Sequence, residues 1–272
     1  MHSKTRQEPL RRLLLTGAAG ALGRVLREGL KPCAQVLRLS DIAAMAPAGA
    51  AEEVVVCDLA DKQAVDRLVA GCDAIVHMGG VSVERPFEEV LEANIRGSFH
   101  LYEGARRHGV RRVVFASSNH VVGFHDTCDR LDADCARRPD GYYGLSKSFG
   151  EDLSRFYFDR YGIETACLRI GSAYPQPQDQ RMLSTWMSYA DLTALVQRCL
   201  AVEQLGHTIV YGASANPSAW WDNGKAEHLG FVPRDSSAQF AATAALPGFA
   251  PGSPEARYQG GSFVTRGPFE TP

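Results

Sequence analysis

Three residues of this 272-residue chain can do proton chemistry together. Tyr143 and Lys147 stand four apart in Tyr143-Gly144-Leu145-Ser146-Lys147, so on a helix they share one face. A free phenol ionises near pH ~10 and is a poor base at neutral pH. An ammonium group one turn away favours the phenolate and makes the pair a usable base. Tyr142 precedes that register and points elsewhere. A tyrosine and a lysine at helical spacing are common by chance. Ser118 narrows the reading, because the apolar strand Arg112-Val113-Val114-Phe115-Ala116 runs into Ser117-Ser118-Asn119-His120.

The elements that must position these groups begin at Leu13-Leu14-Leu15, a short strand buried on both faces. It runs into Thr16-Gly17-Ala18-Ala19-Gly20-Ala21-Leu22-Gly23, and Leu22, Val25, Leu26 and Leu30 then recur at helical spacing. Gly17 permits a turn closed to other residues. Gly20 lets backbone approach a diphosphate, and Gly23 lets the helix sit on the strand. The free N–H groups and dipole at that helix start favour phosphate. A second strand, Gln35–Leu39, ends at Ser40-Asp41. An acid about 20–25 residues past such a turn holds the adenosine ribose, and its charge repels a 2′-phosphate, which points to NAD over NADP.

A third buried strand is expected at Glu53–Leu59. Asp58 there either accepts from an adenine amino group, with Leu59 against the ring, or caps the helix that begins near Asp61. That packing helix runs from Lys62 to Val69. A fourth strand runs from Asp73 into Met78-Gly79-Gly80, where glycines let backbone approach a ligand. His77 inside it reads as a satisfied core histidine. A long helix from Phe87 to His108 carries Asn94, which is locally disfavoured and so either exposed or kept for a buried hydrogen bond. The tyrosine helix runs from Tyr142 to about Tyr161 and a sixth strand from Ile163 to Arg169. A helix at Tyr189–Val202 and a strand at Thr208–Tyr211 follow, then a loop-rich end with Trp220-Trp221. Repeated β-α units predict an α/β fold of the Rossmann type, a doubly wound parallel sheet with ligands at its carboxyl edge. We expect a single domain over 1–272, with a dinucleotide-binding core at 11–171. Residues 172–272 then form a small C-terminal appendage for substrate and oligomer contacts.

Composition excludes several classes. Lys plus Arg number 29 and Asp plus Glu 31, with no basic block, so neither nucleic acid nor an anionic membrane is expected as partner. No apolar run is long enough to span a bilayer. The polar start, Met1 to Arg12, is not a secretory signal. Seven scattered cysteines without a Cys-x-x-Cys pair read as reduced thiols in a cytoplasm. Eight histidines without metal spacing give no metal site.

Taken together, Thr16-Gly17-x-x-Gly20-x-x-Gly23, Asp41, Asp58-Leu59, Asn94, Ser118 and Tyr143-x-x-x-Lys147 resemble the extended short-chain dehydrogenase/reductase family from about Leu13 to Gly171. Within it, the chain is similar to the bacterial uronate dehydrogenases. That likeness rests on Gly79-Gly80-Val81-Ser82, Ser117-Ser118-Asn119-His120-Val121-Val122-Gly123, Arg169-Ile170-Gly171-Ser172, Arg181–Trp186 and Gly260–Val264. The resemblance implies catalysis by Ser118, Tyr143 and Lys147, with Asn94 supporting the lysine through water. It implies NAD held by Gly17, Ala19, Gly20, Ala21, Leu22, Gly23, Asp41, Asp58, Leu59, Met78, Gly79, Gly80, Asn94, Tyr143, Lys147 and Ile170. A hexuronate, glucuronate or galacturonate, is then oxidised at C1 to the aldarolactone. Its contacts are Ser82, Ser118, Asn119, His120, Tyr143, Ser172 and Arg181. Asn119 and His120 either bond the sugar or only order the loop. Arg181 follows the sixth strand in a polar loop and suits a carboxylate. The short C-terminal portion suits a small, unactivated sugar, and a homo-oligomer is expected. Two rivals stand beside this reading. One is a nucleotide-sugar epimerase or dehydratase, marked by tightly retained NAD and no net NADH. The other is a non-catalytic NAD-sensing regulator, which typically loses the tyrosine or lysine.

Overall fold

The computed structural model describes residues 8–241 and 245–267. The amino-terminal residues 1–7, part of the segment read as no signal, lie outside the described residues. Seven strands build one sheet: β1 (Leu10–Thr16), β2 (Ala34–Asp41), β3 (Glu52–Val56), β4 (Ala74–His77), β5 (Arg112–Ser118), β6 (Glu164–Ile170) and β9 (His207–Gly212). Two short strands, β7 (Ser172–Ala173) and β8 (Trp186–Met187), pair separately. The sheet order is β3-β2-β1-β4-β5-β6-β9, and every neighbouring pair is parallel. The order reverses between β1 and β4, which opens a crevice at the carboxyl edge.

Both faces are covered, and β1 shows why its sequence is a continuous apolar run. Leu13 and Leu15 face a core closed by α1 (Ala21–Gly29) and by a helix that runs from Tyr189 to Ala201. Leu14 faces the opposite core, beneath α2 (Lys62–Val69) and two helices at Gly97–Arg107 and Tyr142–Tyr161. All three leucines are fully buried. β3 corrects an expectation. It ends at Val56, not Leu59, and it is an edge strand with Val56 65% exposed, because among the described residues no further strand covers its outer side.

The expected helix from Phe87 is composite: α3 (Phe87–Val90), a π-helical turn over Leu91–Arg96, then α4 (Gly97–Arg107). α5 (Tyr142–Tyr161) matches its expected span and stops at Gly162, which takes the left-handed conformation. After it come α6 (Met182–Thr185) and α7 (Tyr189–Ala201). β9 and α7, both beyond residue 171, complete the sheet and one of its layers. A small satellite core of Val121, Val122, Leu131, Tyr211 and Trp221 supports the carboxyl edge.

Candidate active site

One cavity of about 1160 Å³ lies along the carboxyl edge. Every residue assigned to the site from sequence lines it except Asn94. At one end, Gly17 has φ +70°, and a Cβ there would stand 2.6 Å from the Met78 backbone. A Cβ at Gly23 would collide with the Gly17 carbonyl oxygen. The turn closes through Gly20 N–H to Gly17 O (3.1 Å), and α1 starts with no side-chain cap. The first N–H groups of α1 therefore face the cavity as donors for an anion. Asp41 accepts from Ala19 N–H (2.9 Å) and Ala43 N–H (3.0 Å), which fixes its carboxylate at the cavity wall. Asp58 accepts from Ala60 N–H (2.9 Å), and it is Asp61 that caps α2. His77 is a core histidine as read: it is buried, bonds Thr16 Oγ1 at 2.7 Å, and burial pushes its pKa down to about 3.

Ser118 ends β5, while Tyr143 and Lys147 occupy the first turns of α5; all three are buried. The Lys147 ammonium sits over the Tyr143 ring at 5.7 Å and over Phe115 at 5.2 Å. Burial raises the Tyr143 phenol to about 12, although the Ser118 hydroxyl pulls it back and the Asp140 carboxylate adds to the rise. Burial lowers Lys147 to about 8. Tyr142 is part-exposed and packs edge-on against Phe87 at 5.5 Å, away from the cavity.

Asn94 sits behind the site on the π turn. Its amide donates to Val81 O (3.0 Å) and Ser146 Oγ (2.9 Å) and accepts from Val81 N–H (2.8 Å). Both amide protons are thus spent on the β4–α3 loop and α5, and its side chain has no direct bond to Lys147. A residue that the sequence did not reveal does parallel work. Glu84 is buried and accepts from Tyr142 N–H (2.7 Å) and Tyr143 N–H (2.9 Å), capping α5 from the same loop. No local pattern marks it, since its partners lie 58 and 59 residues away.

At the other end of the cavity stands Arg181, half-buried. Its guanidinium donates to Gln259 O (2.7 Å), to Ser172 Oγ (3.4 Å) and to the Asn119 side-chain oxygen (2.8 Å); Asn119 in turn donates to Ile170 O (3.0 Å). All three acceptors are neutral. Burial lowers its pKa, while the more distant Asp179 and Asp140 carboxylates oppose this. Asn119 therefore orders Arg181, and Ser172 also bonds Thr185 (2.9 Å). Ser82 is exposed on the cavity wall. Phe263, in the tail segment, stacks on His120 at 3.8 Å and lines the cavity. The arrangement brings together a glycine turn with free helix-start N–H groups, a buried serine, tyrosine and lysine, and a guanidinium with no carboxylate hydrogen-bond partner among the described residues.

A family model described as "NAD dependent epimerase/dehydratase family" matches residues 13–215. The chain is 62% identical over 267 residues to a uronate dehydrogenase of Pseudomonas syringae pv. tomato, covering 97% of each chain. It is 51% identical to the crystal structure of uronate dehydrogenase from Agrobacterium tumefaciens, covering 96% of this chain and 99% of that one, with a TM-score of 0.93. The structure of glucuronic acid dehydrogenase from Chromohalobacter salexigens superposes with a TM-score of 0.91 at 50% identity, covering 95% and 98%.

Proposed function

This chain belongs to the NAD dependent epimerase/dehydratase family, and from that premise we propose that it is an NAD-dependent uronate dehydrogenase. Its substrate is a hexuronic acid, glucuronate or galacturonate, oxidised at C1 to the aldarolactone. The observation that carries the substrate class is Arg181, a guanidinium that among the described residues bonds only neutral oxygens, in the cavity that holds Tyr143 and Lys147. A charged donor facing a cleft without a counter-ion is built to receive a carboxylate, and arginine does so with two parallel bonds.

The glycine turn, the uncapped start of α1 and the Asp41 carboxylate fit a diphosphate and a ribose diol, so Gly17 to Gly23 and Asp41 would hold NAD. Bound NAD supplies the hydride acceptor. The chain does the rest. Tyr143 takes the proton of the anomeric hydroxyl as C1 loses hydride, and the carbonyl of the lactone forms at C1. Lys147, one turn on, stabilises the phenolate. Ser118 bonds the reacting oxygen. Arg181 anchors the carboxylate, with Ser82, Asn119, His120 and Ser172 around the hydroxyls. Leu59, Met78, Gly80 and Ile170 line the cofactor side, and Asn94 holds the loop between. In this reading 1–272 is a single domain, with 11–171, α7 and β9 on the cofactor side and the rest of 172–272 on the substrate side.

A homo-oligomer fits the surface. Tyr142, Leu145, Phe149 and Phe156 are exposed along α5 with Phe87 against Tyr142, an apolar stripe suited to a second copy. No helix of the described residues is long and apolar enough to cross a membrane, and the seven free thiols suit a cytoplasm. The test is NADH formation with uronates, their parent aldoses and nucleotide sugars. Lactone and NADH from uronates, with at least ~10-fold lower efficiency on aldoses, are expected. Conversion of a nucleotide sugar without net NADH overturns the reading.

A further inference from the structure

Asp140 stands one step behind the cavity, and its surroundings set it apart from the other carboxylates. Its side chain is fully buried. One oxygen meets His120 Nδ1 at 2.6 Å. The other, Oδ1, is buried with no hydrogen-bond partner among the described residues. Buried polar atoms are nearly always paired, so an orphaned carboxylate oxygen has to be held there by something else. Three elements hold it. A Cβ at Gly123, in the turn after β5, or at Gly260, in the tail segment, would collide with Asp140 Oδ2. One at Gly144, on α5, would come within 3.1 Å of Oδ1. Gly260 N–H also bonds Gly123 O (2.8 Å), and Asp140 N–H bonds His120 O (3.3 Å). The carboxylate thus fills the crossing of the β5 turn, α5 and the tail.

What that position controls is the His120 ring. A carboxylate can only accept, so Nδ1 carries the proton in their bond. The ring is clamped further by Phe263, stacked at 3.8 Å, and by Tyr143, edge-on at 5.8 Å. The nitrogen across the ring, Nε2, makes no hydrogen bond among the described residues and is not sealed in, and His120 lines the cavity. The hydrogen bond at one ring nitrogen decides the role of the other.

We propose that Asp140 is a positioning residue that locks His120 as the Nδ1–H tautomer, so that Nε2 faces the cavity as an acceptor for a hydroxyl of the substrate. This rests on the uronate reading for the identity of the ligand, but not for the tautomer. It also assigns the two ends of the sugar. Arg181 offers only donors and takes the carboxylate. A bare imidazole nitrogen repels a carboxylate and takes a hydroxyl. The two groups together disfavour a sugar bound the wrong way round.

The test has two readouts. Nitrogen NMR of histidine-labelled enzyme without substrate distinguishes the two tautomers. Wild type and Asp140→Asn, whose amide oxygen accepts the same bond, are expected to show His120 as Nδ1–H, and Asp140→Ala a mixture. In the steady state, Asp140→Ala is expected to raise the uronate KM roughly tenfold, the loss of one aligned hydrogen bond, with the NAD KM unchanged. Asp140→Asn is expected to restore most of it. The double variant Asp140→Ala/His120→Ala is expected to be no worse than His120→Ala, because Asp140 acts through the ring. An Nε2–H tautomer in wild type overturns the proposal, as do additive losses or an equal rise in both KM values. A wild type that shows the Nδ1–H signal but oxidises no uronate refutes the function and leaves the tautomer lock standing.

Discussion

Burial pushes the Tyr143 phenol up to about 12, so less phenolate is present at neutral pH than in a free tyrosine. In the proposed reaction Lys147 and the bound cofactor would supply the compensating charge. Tyr143→Phe keeps the ring that packs against His120 and Phe263, so NAD affinity is expected to hold while turnover falls ~10²–10⁴-fold; cofactor titration beside steady-state rates checks this. Lys147 carries a cost in stability. Its pKa is lowered from 10.5 to about 8, so the unfolded chain binds the proton more tightly. Stability of the unliganded protein should therefore rise with pH from about 8 to 10.5. Lys147→Met should abolish turnover, raise stability near neutral pH by up to ~3 kcal/mol, and lose that slope in denaturant melts. These residues are legible in the sequence because i, i+4 spacing and a strand-end position are local facts. Glu84 and Asp140 are not, because their partners meet them only through the fold: the first caps a helix 58 residues on, the second holds a histidine 20 residues back.

The elements share the work of aiming the site. The loop from β4 to α3 is stitched to α5 twice, by Asn94 through Val81 and Ser146 and by Glu84 at the helix start. The π turn at Leu91–Arg96 carries Asn94, the residue that makes the first link. Glu84→Ala removes both caps of α5. It should cost ~1–2 kcal/mol of stability and lower kcat more than it changes NAD affinity, with Glu84→Gln recovering part. A variant that melts lower but turns over normally would make Glu84 structural only. The parallel strands and amphipathic helices were readable from apolar runs and helical periodicity. The π turn was not, since it is a local change of hydrogen bonding with no residue pattern of its own. Nor was the edge position of β3, since Val54, Val55 and Val56 look alike in sequence whether or not a strand lies beyond them.

Across the whole molecule, the switch between β1 and β4 puts the glycine turn, the tyrosine site and Arg181 into one cavity, the first two from the sheet core and the third from the loop between β7 and α6. The stripe on α5 lies on the outside of the same helix that carries Tyr143, so assembly would buttress the site. Phe149→Glu with Leu145→Glu should shift the protein to a smaller species by light scattering; an unchanged mass would put the interface elsewhere. The central claim is that this cavity reads a sugar carboxylate through Arg181. Its most direct test is kcat/KM for glucuronate and for glucose in wild type, Arg181→Ala and Arg181→Lys. The account predicts a ~10–100-fold or greater preference for glucuronate in wild type. It predicts loss of that preference in Arg181→Ala with the small glucose rate little changed, and partial recovery in Arg181→Lys, which lacks the planar two-bond fork. An equal fall on both sugars in Arg181→Ala would contradict it.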